Sequence, residues 1–173
     1  MASEEGQDVK AYTSQDYTLV FCRRPSQTPT ASKQILLGMK KRGFGVGKWN
    51  GFGGKIEEGE SVEQAARREL LEESGVIANS LQRIGYLVFK LTDIAKIMHV
   101  HVFQTFEFTN EAVETEEMLP QWYAEDSIPY TNMWMDDAYW LPLLLEHKQF
   151  IGRFEYEDED TIVDYSIREV GRL

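Results

Sequence analysis

Residues 54–76 read GKIEEGESVEQAARRELLEESGV, and the fold is read outward from them. Ser61 is a helix N-cap residue with Gln64 three positions on, the reciprocal pattern of a capping box. A helix is therefore expected over 61–73, with Gly75 as its stop. At 100° per residue, Glu69, Glu72 and Glu73 fall within an arc of about 100° on one face. Three carboxylates there repel one another, and in the last turns the helix dipole disfavours each by roughly 0.3–1 kcal/mol. A hard divalent cation removes that conflict, and carboxylate oxygens select Mg²⁺, with Mn²⁺ as its substitute. The glycine-rich segment that ends at Gly54 can add a backbone carbonyl to the same ion. The plain alternative is a solvated acidic face balanced by Arg67 and Arg68.

Upstream, residues 40–54 contain Gly43, Gly45, Gly47, Gly51, Gly53 and Gly54, a density that suits a backbone brought close to a ligand and not a helix. Tyr17–Phe21 and Gln34–Gly38 have strand character, and the segment between them, with Pro25, Thr28, Pro29, Thr30 and Ser32, reads as a surface loop. Downstream, strands are expected over Ile84–Leu91 and Met98–Phe108, with a short one ending near Tyr123. A helix is expected over Asp137–His147, and a last strand over Thr161–Ile167. The acidic run Phe154–Asp160 reads as solvated. There is no repeat and no linker, so the expectation is a flexible arm over 1–15 and one mixed α/β domain over 16–173. His99 and His101 share a strand face, but only His147 remains elsewhere, so strand packing outweighs a transition-metal site.

The chain has 173 residues, 29 acidic and 18 basic, for a net charge of −11, and 42% of it is apolar. That is enough for a real hydrophobic core. The charge argues against binding a nucleic acid polymer, which needs clustered Lys and Arg, but not against a local anion site. Cys22 is the single cysteine and cannot form an internal disulfide; no apolar run suffices for a spanning helix. The polar start MASEEGQDVK lacks the marks of a secretory signal. The expected setting is a soluble, reducing compartment with no membrane partner: cytoplasmic by default, with nuclear and mitochondrial fractions left open.

The 54–76 stretch resembles the Nudix box, with Gly54, Glu60, Arg68, Glu69, Leu70, Glu72, Glu73, Gly75 and Val76 in its fixed places. The resemblance implies a Nudix α/β/α sandwich with a mixed β-sheet. It also implies hydrolysis of a nucleoside diphosphate linked to a further group by a metal-activated water. Gly54, Glu69, Glu72 and Glu73 would match metal ligands, Arg68 the arginine that orients them, and Glu117 an additional acid near the metals. Glu73, Glu69 and Arg68 are thus the catalytic candidates, and which glutamate takes the proton stays open.

The runs LLGMKKRGFGVGKWNGFGGK, YTNMWMDDAYWLPLLL and TIVDYSIREV are similar to the branch of the family that acts on oxidised purine nucleoside triphosphates. That implies Mg²⁺-dependent conversion of 8-oxo-dGTP or 2-oxo-dATP to monophosphate and pyrophosphate by a monomer. Asn50, Asp136, Asp137, Phe44, Trp134 and Trp140 would match the base pocket, and Thr18, Lys40, Phe89 and Met98 fall on pocket positions too. Leu91 and Met135 depart from that branch, standing where a phenylalanine borders the base and a proline precedes the Asp pair. Adjacent buried aspartates resist joint ionisation, so one can donate a hydrogen bond while the other accepts. The plain reading makes Asp136 a helix cap and Asp137 a first-turn acid. The basic run Lys40, Lys41 and Arg42 reads either as an aid to triphosphate entry or as a solubilising run before a turn. Rival readings are a Nudix pyrophosphatase acting on ADP-ribose, nucleotide sugars or dinucleoside polyphosphates, and a catalytically silent nucleotide-binding module.

Overall fold

The computed structural model describes residues 11–26, 28 and 30–173. Residues 1–10 of the expected arm and Pro29 of the expected loop lie outside the described residues. In chain order the strands are β1 (Thr13–Arg24), β2 (Gln34–Lys40), β3 (Trp49–Asn50), β4 (Ile77–Ala78), β5 (Gln82–Leu91), β6 (Lys96–Thr105), β7 (Phe108–Thr109), β8 (Met118–Ala124), β9 (Phe150–Asp158) and β10 (Thr161–Glu169). The helices are α1 (Val62–Ser74) and α2 (Asp137–Leu145).

Helix α1 starts where its caps dictate. The Gln64 N–H donates to Ser61 Oγ at 3.2 Å, and the Ser61 N–H donates to Gln64 Oε1 at 2.8 Å, so two otherwise orphan donors are satisfied. It ends at Gly75, whose φ of 75° lies in the left-handed region that glycine enters without penalty, and whose N–H closes on the Leu71 carbonyl at 2.8 Å.

Among the described residues the main sheet runs β10-β9-β5-β6-β1-β2-β3, with β8 on the other edge of β2. Strands β1 and β6 are parallel, as are β5 and β9, and the remaining pairs are antiparallel, so the sheet is mixed. Helix α1 covers one face, burying Ala66 and Leu70 against Val20, Cys22, Leu36, Phe52 and Phe103. Helix α2 covers the other, burying Trp140, Leu141 and Leu144 among Phe21, Leu37, Leu87, Val102 and Phe150. Neighbours such as Val20 and Phe21 serve opposite cores because successive strand side chains alternate. The result is the expected α/β/α sandwich.

Several boundaries differ from expectation. Strand β1 begins at Thr13, inside the segment read as arm, because its parallel pairing with β6 starts at Lys96 and the Thr13 N–H bonds the Ala95 carbonyl. The run Phe154–Asp160 is not simply solvated: Phe150, Gly152, Phe154 and Tyr156 point inward along β9 while acids face out. The expected strand over Met98–Phe108 breaks at Thr105, and Phe108 belongs to the separate β4–β7 pair. Helix α2 stops at Leu145, and His147 follows with a φ of 60°. His99 and His101 lie in a polar ladder on the sheet, bonded to Tyr86, Ser14, Asp16 and Arg83.

Candidate active site

The segment 51–55 threads between β1 and α1. The Val20 N–H donates to the Phe52 carbonyl at 2.7 Å and the Thr18 N–H to the Gly54 carbonyl at 2.9 Å. A Cβ on Gly53 would stand 1.9 Å from the Thr18 carbonyl oxygen, and one on Gly54 would stand 2.5 Å from Glu69 Oε1. Only glycine lets the backbone pass and lets the Glu69 carboxylate lie against it.

Glu73 is buried. Its Oε2 accepts the Gly53 N–H at 2.9 Å, and its Oε1 faces Lys40 Nζ at 3.2 Å. Burial pushes the carboxyls of Glu73 and Glu69 above the ordinary range, with hydrogen bonds and nearby cations opposing the shift. Arg68 forks across both oxygens of Glu60 at 2.6 and 2.9 Å, then reaches Glu69 Oε1 at 2.7 Å and Glu72 Oε2 at 3.3 Å. The Arg68 hydrogen bond is the main reason the Glu60 carboxyl is pulled down to about 2. Across the cleft Glu117 has both oxygens occupied, Oε1 by Arg42 at 2.8 Å and Oε2 by Lys40 at 3.2 Å, which holds its pKa low. Lys41 pairs with Glu114 at 2.7 Å. The basic run 40–42 is thus clasped onto the acidic run 114–117, a constraint on the expected part in triphosphate entry.

Gly54, Glu69, Glu72, Glu73 and Glu117 all border one cavity of about 670 Å³. Among the described residues no three acids, imidazoles or thiolates converge closely enough to hold one ion. Arg68 and Lys40 stand between them as cations. An oxygen-only donor set, a carboxylate pressed on glycine backbone, and an ammonium between Glu73 and Glu117 all fit a hard divalent cation.

A second cavity of about 860 Å³ joins the first at Lys40, Gly53, Gly54, Glu73 and Glu117. It is bordered by Thr18, Lys40, Phe44, Asn50, Phe89, Met98, Trp134, Asp136, Asp137 and Trp140, and also by Leu91. Asp136 does not cap α2 with its side chain. Its Oδ2 instead accepts the Trp140 indole N–H at 2.8 Å and its Oδ1 the Tyr156 hydroxyl at 2.6 Å. Asp137 Oδ2 accepts the Trp134 N–H at 3.0 Å. Both aspartates are buried, at 4% and 1% exposure. Burial raises both pKa values; the hydrogen bonds from Tyr156 and Trp140 limit the shift at Asp136, while the neighbouring Asp136 charge pushes Asp137 well above the carboxylate range. Phe44 stacks on Trp134 with centroids 4.9 Å apart. Thr18 Oγ1 is buried with no hydrogen-bond partner among the described residues, and Thr18 borders the pocket.

The sequence profile of the NUDIX domain matches residues 17–144. The chain belongs to the Nudix family. It is 49% identical over 158 residues to the oxidized purine nucleoside triphosphate hydrolase of Mus musculus, covering 91% of this chain and 97% of that one. It is 47% identical over 162 residues to the protein of the same description from Danio rerio, covering 94% and 99%. Among solved structures it resembles the mutator MutT protein of Bacillus halodurans, with a TM-score of 0.76 and 23% identity over 88% of this chain and 97% of that one, a likeness of fold.

In this Nudix hydrolase the box and the downstream Asp pair, more than sixty positions apart in the chain, open onto connected cavities. Trp140 is 1% exposed and serves the pocket through its indole N–H on Asp136, with its ring in the core. Sequence reasoning missed Tyr156, Lys48 and Arg23, and placed Glu60 in the box without a role. Tyr156 holds Asp136 from β9, and the Phe150–Tyr156 alternation was the available signal. Lys48 sits over Trp134 at 4.8 Å, pairs with Asp160 at 3.2 Å, and is the cation opposing the rise at Asp137. Glu60 anchors Arg68. Arg23 is wholly buried, forked onto Glu125 at 2.8 and 3.1 Å, and donates to the Leu144 and Leu145 carbonyls at 2.9 Å each, so it closes the C-terminal end of the helix that begins with Asp137.

Proposed function

We propose that this chain hydrolyses oxidised purine nucleoside triphosphates, 8-oxo-dGTP and 2-oxo-dATP, to the monophosphate and pyrophosphate, and so clears the nucleotide pool. The observation that carries the reading is the buried Asp136–Asp137 pair, opening onto a cavity continuous with the box carboxylates. Relatives described as oxidized purine nucleoside triphosphate hydrolases, matched over nearly their full length, support it.

Glu69, Glu72, Glu73, Glu117 and the Gly54 carbonyl would hold Mg²⁺, or Mn²⁺ in its place. The bound cation would neutralise phosphate oxygens and lower the pKa of a coordinated water. Arg68, fixed by Glu60, orients Glu69 and Glu72. Glu73, with Oε2 tied to the Gly53 N–H, faces the cleft with Oε1, and a carboxylate of the box takes the water proton, Glu73 being the first to test. In the base pocket a protonated Asp137 carboxyl donates while an ionised Asp136, already satisfied by Trp140 and Tyr156, favours that distribution. An 8-oxo purine differs from the normal base by an N7 hydrogen and a C8 oxygen, and 2-oxo-adenine presents another edge, so an aspartate pair with movable protons suits both. Trp134 supplies a flat stacking surface. Small nucleotides are the partners, and the working unit is a monomer.

The test is turnover of 8-oxo-dGTP, 2-oxo-dATP and dGTP with Mg²⁺, with ADP-ribose, a nucleotide sugar and a dinucleoside polyphosphate alongside. Higher kcat/KM on the oxidised triphosphates is expected. Equal rates on dGTP, or turnover confined to the other substrates, would overturn the specificity.

A further inference from the structure

Lys40 ends β2 at the junction of the two cavities, where the base pocket passes into the acidic cleft. Its Nζ lies 3.2 Å from Glu73 Oε1 and 3.2 Å from Glu117 Oε2. The other oxygen of each carboxylate is already used, Glu73 Oε2 by the Gly53 N–H and Glu117 Oε1 by Arg42. The two oxygens that face each other across the cleft are therefore both committed to one ammonium.

We propose that Lys40 is a tethered counter-cation, which holds Glu73 and Glu117 together until a divalent cation arrives and must leave the bridge for both carboxylates to bind that cation. The inference rests on the metal-site reading above and goes beyond it by giving Lys40 a task before any nucleotide is present. Three features carry it. The ammonium occupies the space between the two carboxylates. Those carboxylates come from different parts of the chain, α1 and the segment before β8, which Thr115 Oγ1 already ties together through the Glu73 carbonyl at 3.2 Å, so the bridge acts on the two side chains. The clasp is anchored without Lys40 Nζ, through the Lys41 N–H on the Glu117 carbonyl at 2.8 Å and through the β2–β8 ladder. The lysine side chain can swing while its backbone stays. Once released it would stay at the junction of the two cavities, free to serve a triphosphate as a point charge. Lys40 would thus exchange one anionic partner for another as metal and nucleotide enter, and Glu73 and Glu117 would face a cation at both stages.

The experiment measures Mn²⁺ affinity without nucleotide, by paramagnetic resonance of free Mn²⁺, in the wild-type chain, Lys40→Met and Lys40→Arg. Removing a unit charge a few ångströms from the ion is expected to tighten binding about tenfold in Lys40→Met, while Lys40→Arg stays near wild type. A role confined to phosphate contact leaves nucleotide-free affinity unchanged, and an unchanged or weaker Kd in a folded Lys40→Met overturns the proposal. Should that variant fail to fold, acylation of Lys40 in the wild-type chain, followed by mass spectrometry, gives the answer: Mg²⁺ should raise it, and no change or protection overturns the bridge. Absence of Mn²⁺ binding in every form defeats the metal reading with it. A Lys40 effect on Mn²⁺ without turnover of oxidised triphosphates defeats only the substrate assignment.

Discussion

The cleft beside α1 and the pocket at the head of α2 both crowd carboxylates together, and they relieve the repulsion by opposite means. In the cleft, Arg68, Lys40 and Arg42 pair with Glu60, Glu69, Glu72, Glu73 and Glu117, and several of these groups are open to solvent. In the pocket, no side-chain ammonium or guanidinium hydrogen-bonds Asp136 or Asp137 among the described residues; neutral donors and a retained proton do the work. The lesson is that clustered acids mark two chemistries. Where cations pair with them, they are proposed to present oxygen to a metal. Where neutral donors hold them in a buried site, they keep protons and are proposed to read the hydrogen pattern of a base.

The comparison breaks most visibly at Glu73. Glu73→Gln retains the Gly53 hydrogen bond but loses the charge and the proton acceptor, so kcat should fall by about 10²–10⁴-fold with an unchanged circular dichroism spectrum. Retained turnover would move the proton to another glutamate. Next comes the far end of α2. Arg23→Met leaves Glu125 and two helix carbonyls without their buried partner, and roughly 3–5 kcal/mol of stability should be lost in urea denaturation. A loss below about 1 kcal/mol, the level of a surface ion pair, would show that Arg23 is not an anchor.

Asp137→Asn replaces the movable proton with a fixed amide. The preference for 8-oxo-dGTP over dGTP, as a ratio of kcat/KM, should narrow by about 10–100-fold, equivalent to one imperfect buried hydrogen bond. The cleft should be spared, with Mn²⁺ affinity unchanged.

The smallest effects separate the Asp pair from Glu60 by the sign of their pH dependence. Asp136 and Asp137 have folded-state pKa values above the ordinary 3.8, so the folded chain binds protons more tightly than the unfolded one. Their contribution is therefore fully present below 3.8 and is lost as pH rises through the elevated values. Glu60 is the reverse: its contribution is present above 4.5 and is lost as pH falls through about 2. Relative to wild type, Asp137→Asn should gain stability in urea unfolding as pH rises above about 4, whereas the deficit of Glu60→Gln should shrink as acid is added. The same trend in both variants would end the distinction.

Much of this was legible before any coordinates. Ser61, Gln64 and Gly75 bound their helix through local rules alone, and the spacing of Glu69, Glu72 and Glu73 placed them on one face because a helix has a fixed period. The residues named for the site line the two cavities. Strand β9 escaped notice because its outward acids mask the inward Phe150, Phe154 and Tyr156 when the window opens at residue 154. Arg23 gave no local signal, since a lone arginine in a strand reads as an exposed charge until Glu125 and the end of α2 arrive around it. The Asp pair invited a capping reading, and only the positions of Trp140 and Tyr156 show where the Asp136 carboxylate points.

By itself the sequence determined helix α1, most of the longer strands, the alternation that gives the sheet two faces, and the set of groups proposed to bind metal and base. These follow from caps, periods and residue chemistry, which act over a few neighbouring positions. Only the tertiary structure decided which carboxylates meet cations and which keep protons. That depends on burial and on partners from distant strands: Lys40 facing Glu73 and Glu117, Tyr156 facing Asp136, Arg23 beneath α2. The electrostatic energy of a carboxylate is set by whatever surrounds it within a few ångströms, and those surroundings come from packing across the whole chain.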